Sequence, residues 1–230
     1  MDHKKSPQEL IKPIIELFSN GQIQEALDAV EVLIKDYPNE SLLFNISGAC
    51  YAGLGQFDAA VKDYEKAIAI KPDYSKAHFN LGATLQDLGQ LDNAVKSYEK
   101  ALVIEPDYAE AHNNLGITLK DFGQLDAAVK SFKKAIAIKL NYVEAHYNLA
   151  ETLKEMGRLE DAVQSYKATI VANPSFYDAY NNLGVTLMDL ARFDEAIPFF
   201  KKALDIKSDN IYACNNLGGA LNSLGKLEEA

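Results

Sequence analysis

Residues 75–108 read SKAHFNLGATLQDLGQLDNAVKSYEKALVIEPDY, and residues 109–142 read AEAHNNLGITLKDFGQLDAAVKSFKKAIAIKLNY. The two stretches are the same 34-residue unit written twice, and the register extends over units 7–40, 41–74, 75–108, 109–142, 143–176 and 177–210, with a partial unit at 211–230. A fixed period of this size marks a solenoid, in which each unit is one supersecondary element that buries its apolar face only against its neighbours. Counting Ser75 as position 1, positions 4, 7, 8, 11 and 14 follow helical spacing and define a helix A. Positions 17, 20, 21, 24, 27, 28 and 30 do the same for a helix B. The expected fold is all-α, a right-handed superhelical solenoid of antiparallel helix pairs with helix A inside and helix B outside. Residues 1–6 form an N-terminal tail, and 7–230 a single solenoid domain with no internal linker.

The columns are specific. Position 7 is Leu81, Leu115, Leu149, Leu183 and Leu217; position 8 is Gly48, Gly82, Gly116, Ala150, Gly184 and Gly218; position 20 is Ala26, Ala60, Ala94, Ala128, Ala162, Ala196 and Ala230. Position 24 is aromatic in Tyr64, Tyr98, Phe132, Tyr166 and Phe200, and position 32 is Pro38, Pro72, Pro106 and Pro174. Small residues at 8 and 20 let the paired helices approach closely, and proline at 32 stops helix B. Glycine at position 15 suits the left-handed residue that ends helix A, so Ala191 at that place predicts a strained or altered turn. The set resembles the tetratricopeptide repeat over residues 7–230.

With 24% charged and 48% hydrophobic residues, the composition is that of an ordinary globular chain. The first residues, MDHKKSPQELIKPIIELF, contain no apolar run long enough for a signal peptide or membrane span, so a cytoplasmic location and no membrane partner are expected. Cys50 and Cys214 lie in distant units, which argues against a disulfide between them. A net charge of −10, with lysines such as Lys62, Lys96 and Lys130 on helix B, argues against a nucleic-acid partner.

His78, His112 and His146 recur at position 4. Stacked helices stand roughly 8–10 Å apart, too far for one ion with bonds near 2 Å to be shared. The imidazoles are read as filler in a slot where the resembled family often carries tryptophan. No nucleophile with a histidine partner, phosphate loop, CxxC or HExxH is present. The chain is expected to be no enzyme, with no cofactor and no metal.

The inner face of helix A carries the informative departure from packing. Position 6 is Asn80, Asn114, Asn148, Asn182 and Asn216, and asparagine is a poor residue for a helix interior. Either each amide bonds to an adjacent repeat, or the amides form a ladder that grips a peptide backbone whatever its side chains. The second arrangement is similar to the asparagine ladder of the O-GlcNAc transferase repeats, with local matches at 111–116 (AHNNLG) and 179–184 (AYNNLG). That resemblance implies a peptide-binding role for Glu110, Glu144 and Asp178 at position 2, from which Lys76 departs. The variable position 5, with Phe79, Asn113, Tyr147 and Asn181, would supply selectivity.

Acidic residues outnumber lysines at positions 2, 12 and 13, so the expected ligand is an extended, neutral to basic, Ser/Thr-containing polypeptide segment. At roughly 10 Å per unit and 3.3–3.6 Å per residue, five rungs would hold about twelve residues. The pattern of Lys, Asn and Arg that clamps chaperone EEVD tails is missing, and no binding to such tails is expected. At the start, Ser6-Pro7-Gln8-Glu9 reads as a capping box, with Lys12, Pro13 and Ile14 marking an atypical first unit. At the far end, Ala230 falls early in a helix B with no polar cap after it. Two functions follow: a protein–protein interaction scaffold binding extended segments, or the substrate-recruiting arm of a longer transferase whose catalytic domain lies beyond residue 230. Self-association through the uncapped end is a further expectation.

Overall fold

The computed structural model describes residues 7–225, and the Ser6 hydroxyl of the capping box and Ala230 both lie outside them. The described residues form thirteen α-helices and no strand: α1 (Pro7–Ser19), α2 (Ile23–Asp36), α3 (Ser41–Gly53), α4 (Phe57–Ile70), α5 (Ser75–Asp87), α6 (Leu91–Ile104), α7 (Ala109–Asp121), α8 (Leu125–Ile138), α9 (Val143–Glu155), α10 (Leu159–Ala172), α11 (Tyr177–Asp189), α12 (Phe193–Ile206) and α13 (Ile211–Ser223). Odd-numbered helices are the A helices and even-numbered ones the B helices, starting at positions 1 and 17 of each full unit from the second on. The chain is an all-α helical solenoid.

Two compact units are present, one through Thr118 and one from Leu119. The first contains α1 to α6 and most of α7. Its α1 to α3 close around Ile11, Ile14, Leu27, Val30, Leu43 and Cys50, while Lys12 and Pro13 face solvent. The A helices touch one another, α1 with α3 and α3 with α5, and α2 and α4 each pack against the A helix before and the A helix after them. In the second unit, α9 packs with α10, α10 with α11, α11 with α12 and α12 with α13, and α11 also touches α13. Tyr180, Ala203 and Ala213 form part of its core.

Close packing within each pair rests on position 8. A Cβ added to Gly82 would lie 2.9 Å from the Tyr98 ring, and one added to Gly184 would lie 2.6 Å from the Phe200 ring. Tyr98 and Phe200 are fully buried by this approach. Burying an aromatic side chain contributes roughly 1.5–3 kcal/mol, which exceeds the ~1 kcal/mol cost of glycine in a helix.

Position 4 has a polar task beyond filling. Nε2 of His78, His112 and His146 lies 3.0, 2.9 and 2.9 Å from the carbonyl oxygens of Pro72, Pro106 and Leu140. A carbonyl only accepts, so each Nε2 carries the hydrogen. The Tyr180 hydroxyl donates to Pro174 O in the same way, at 3.2 Å. These side chains tie helix A to the turn before it and satisfy a carbonyl left over past the end of helix B. Helix α8 ends at Ile138 although Leu140 replaces proline two residues on, so proline is not what stops it.

The turn after α11 bears out the expectation for Ala191. Its φ is +56°, whereas the corresponding Gly89 has +71°. Both turns close in the same way: Gln90 N donates to Leu85 O and Arg192 N to Leu187 O, each at 2.8 Å. Neighbouring contacts thus hold an alanine where its Cβ costs about 1–2 kcal/mol. Replacing Ala191 with Gly removes this strain but loosens the unfolded chain by ~0.4–1 kcal/mol. A net gain of about 0.5–1 kcal/mol in urea unfolding is expected from these two terms, and a loss of stability would contradict the account.

Candidate functional site

Three of the five position-6 amides, those of Asn80, Asn182 and Asn216, share a repeating hydrogen-bond geometry with a spacing of thirty-five residues. In the first unit Asn80 Nδ2 donates to Asn45 Oδ1 at 3.1 Å; in the second, Asn216 Nδ2 donates to Asn181 Oδ1 at 3.0 Å. Asn182 Nδ2 donates to Tyr147 Oη at 3.0 Å with the same spacing. In each case position 6 of one helix A reaches position 5 of the preceding one. At Asn80, Asn182 and Asn216 these are bonds to an adjacent repeat, the first of the two expectations for the asparagine column. Asn45, which is buried, escaped sequence reading because position 6 of its own unit is Ile46. The pairing of Asn at one position 5 with Asn thirty-five residues later was the available signal.

Within the second unit the bonds join into a directed relay. Asn216 donates to Asn181, Asn181 Nδ2 donates to Asn182 Oδ1 at 3.1 Å, and Asn182 Nδ2 donates to Tyr147 Oη and to Glu151 Oε1, each at 3.0 Å. The Tyr166 hydroxyl also donates to Glu151 Oε1. Both N–H bonds of Asn182 are used, while Asn181 and Asn216 each keep a second N–H. In the first unit the receiving group is neutral: Gln86 Oε1 accepts from Tyr98 Oη at 3.1 Å and from Thr118 Oγ1 at 3.0 Å. Asn113 Nδ2 donates to Asn114 Oδ1 at 3.3 Å, and Asn114 also lies against the Tyr98 hydroxyl.

The other expected site residues divide by packing. Phe79 sits 4.9 Å from the Tyr108 ring and 5.8 Å from the Tyr98 ring; Tyr147 sits 5.0 Å from Phe176 and 6.0 Å from Tyr166. Both position-5 aromatics are half-buried and serve as packing as well as surface. Asn113 is buried, Asn148 half-buried, and Lys76, Glu110 and Glu144 are exposed. Asp178, Asn181, Asn182 and Asn216 come together with Tyr177 and Tyr212 around a cavity of about 510 Å³ between α11 and α13. Tyr212 and Ile211 on its rim are 79% and 71% exposed, which is unusual for large apolar side chains. The Lys207 ammonium, also at this cavity, lies 4.8 Å over the Tyr177 ring.

Both cysteines are free; Cys50 is buried and Cys214 exposed. Among the described residues no three His, Cys, Asp or Glu side chains converge on a metal position, and no helix is long and apolar enough to cross a membrane.

The geometry defines a class: a helical-repeat scaffold that presents polar groups on its A helices. The model described as "TPR repeat" matches residues 48–89, 85–121 and 119–157, and that described as "Tetratricopeptide repeat" matches 147–211. The chain belongs to the tetratricopeptide repeat family, whose members are scaffolds for protein–protein interaction and are generally non-catalytic. A segment of 64 residues is 30% identical to the peroxisomal targeting signal receptor of Kluyveromyces lactis, covering 28% of this chain and 11% of the receptor. The match therefore spans about a tenth of that relative's length. Among solved structures, MamA is 31% identical with a TM-score of 0.68, covering 70% of this chain and 94% of MamA. The PilF protein of Pseudomonas aeruginosa has a TM-score of 0.78 at 14% identity, over 90% of this chain and 95% of its own, and shares the fold.

The hydroxyls that end these networks make stability depend on pH. Burial, the larger cause, and Glu151 beside it push Tyr166 and Tyr147 well above the ordinary 10.0. Burial does the same to Tyr64 and Tyr98. The hydrogen bond to Glu31, then burial, raises Tyr51 to about 12. The folded chain holds these protons more tightly than the unfolded one, so their contribution is intact below pH 10.0 and is lost as pH rises from there towards the folded values. The urea midpoint should fall steeply above that pH, with the share of the tyrosinate absorbance at 295 nm that belongs to these five side chains lagging until the chain unfolds. Early ionisation of all tyrosines with the fold intact would refute this.

Proposed function

We propose that the A-helix faces bind extended, neutral to basic segments of partner proteins, gripping the peptide backbone with asparagine groups that the inter-repeat bonds leave over. The observation that carries this reading is the asparagine-lined cavity between α11 and α13. One N–H on each of Asn181 and Asn216 remains to donate to peptide carbonyls, and Asn216 Oδ1 remains to accept a peptide N–H. The internal bonds fix the rotamers of these amides beforehand, which lowers the entropy lost on binding. Tyr177, Tyr212 and Ile211 add apolar surface at the same cavity, and Asp178 with Asp209 outweighs Lys207 in charge. In the first unit Asn80 keeps one N–H, and Gln86, bonded through its oxygen, can present its amide nitrogen to the same end.

The test uses 12-residue peptides selected by display on the intact chain. Substituting both Asn181 and Asn216 with Ala should weaken every peptide that engages this cavity about tenfold, whatever its side chains, as expected for the loss of two hydrogen bonds. A doubly substituted protein that melts earlier yet binds those peptides unchanged would make the asparagines structural ties only.

A further inference from the structure

Glu151 stands at position 9, where the other repeats carry Ala49, Ala83, Ile117, Val185 and Gly219. It is half-buried on the A face of the second unit, one turn after Tyr147 in α9 and across from Asn182 in α11. A carboxylate withdrawn from water in this way is costly unless its charge is received by another group. Both of its protein donors, the Tyr166 hydroxyl and the Asn182 amide, converge on Oε1. Those donors are neutral: they hold the group in place and leave its charge uncompensated. Among the described residues no lysine or arginine forms an ion pair with Glu151; Lys154, one turn along the same helix, is paired with Asp189 at 3.6 Å. Asp178, at the start of α11, adds to the negative field felt by the Tyr147 hydroxyl, as does Glu151 itself.

From this we infer that Glu151 is the side-chain-selecting group of the second unit and takes a lysine or arginine side chain of the bound segment on Oε2, the oxygen to which neither Tyr166 nor Asn182 donates. The inference rests on the A-helix face being the binding surface. The relay from Asn216 to Glu151 gives the arrangement a division of labour: asparagines at one end hold backbone, and the carboxylate at the other reads charge. Tyr147 offers ring surface to the aliphatic stem of the incoming residue. In the first unit position 9 is uncharged in Ala49, Ala83 and Ile117, and Tyr98, the counterpart of Tyr166, donates to the neutral Gln86 at position 12 instead, so charge selection belongs to the second unit. A fixed carboxylate selects better than a mobile one because little freedom is lost when the cation arrives.

The experiment again uses 12-residue peptides selected by display on the intact chain, measured by calorimetry. The selected set should share a basic residue at one position, and replacing it with norleucine should weaken binding to the unaltered protein about tenfold, the size of effect expected of one partly desolvated ion pair. Glu151→Gln keeps an oxygen for Tyr166 and Asn182, so the network survives; on this variant the same norleucine replacement should cost less than about twofold. Equal losses on both proteins, or a selected set without a shared basic residue, would overturn the inference while leaving the backbone-binding reading intact. Failure of the unaltered protein to bind any 12-residue peptide would overturn both.

Discussion

An aromatic ring lying against a glycine with no side chain is the contact on which the structure depends. Tyr64 over Gly48, Tyr98 over Gly82 and Phe200 over Gly184 bring helices A and B closer than any residue with a Cβ would permit without movement. The ring thereby becomes fully or almost fully buried, and a helix pair of fewer than thirty helical residues, too small to be stable alone, gains a core it can share with its neighbours. The fifth repeat carries Ala150 in this place, and there Tyr166 still buries completely while its hydroxyl reaches the adjacent Glu151. The same ring therefore supports the fold with one end and the polar A face with the other.

Polar groups within the layers are organised by a second constraint, the need to satisfy what packing has taken from water. Histidines at position 4 donate to the carbonyl of the preceding turn, and Tyr180 does so with different chemistry. Phe44 and Cys214 stand at the same position without a ring hydrogen to donate, so the bond is an addition made in four repeats and not a condition of the fold. The asparagines follow the same logic. The inter-repeat bond of Asn216 uses only part of its amide, and Asn181 likewise keeps one N–H, whereas both N–H bonds of Asn182 are taken up internally. A structural tie and a binding group are thus compatible in one side chain, because an amide has more hydrogen-bonding capacity than one tie uses.

Much of the fold was legible from the repeat alone. The helix pairs, the short residues at their crossings and the left-handed backbone at Ala191 all follow from local rules applied in register. The site was legible as a face and illegible as a network. The position-6 column pointed to a polar surface, but Asn45 lay one place out of that column, and the role of Glu151 depended on which oxygen Tyr166 and Asn182 reach. Those facts concern residues fifteen to thirty-five apart in the chain and are decided by how neighbouring helices are set against each other.

By itself the sequence determined the period, the helices and their turns, because hydrophobic spacing, glycine and proline act within a few residues. Only the tertiary structure decided which amide groups are used internally and which remain, since a hydrogen bond is selected by distance and direction between side chains on different helices. It likewise decided that the Glu151 carboxylate is held by the neutral donors Tyr166 and Asn182, with no ion pair to it among the described residues. Composition records one acidic residue there; its chemistry comes from the two groups that face it.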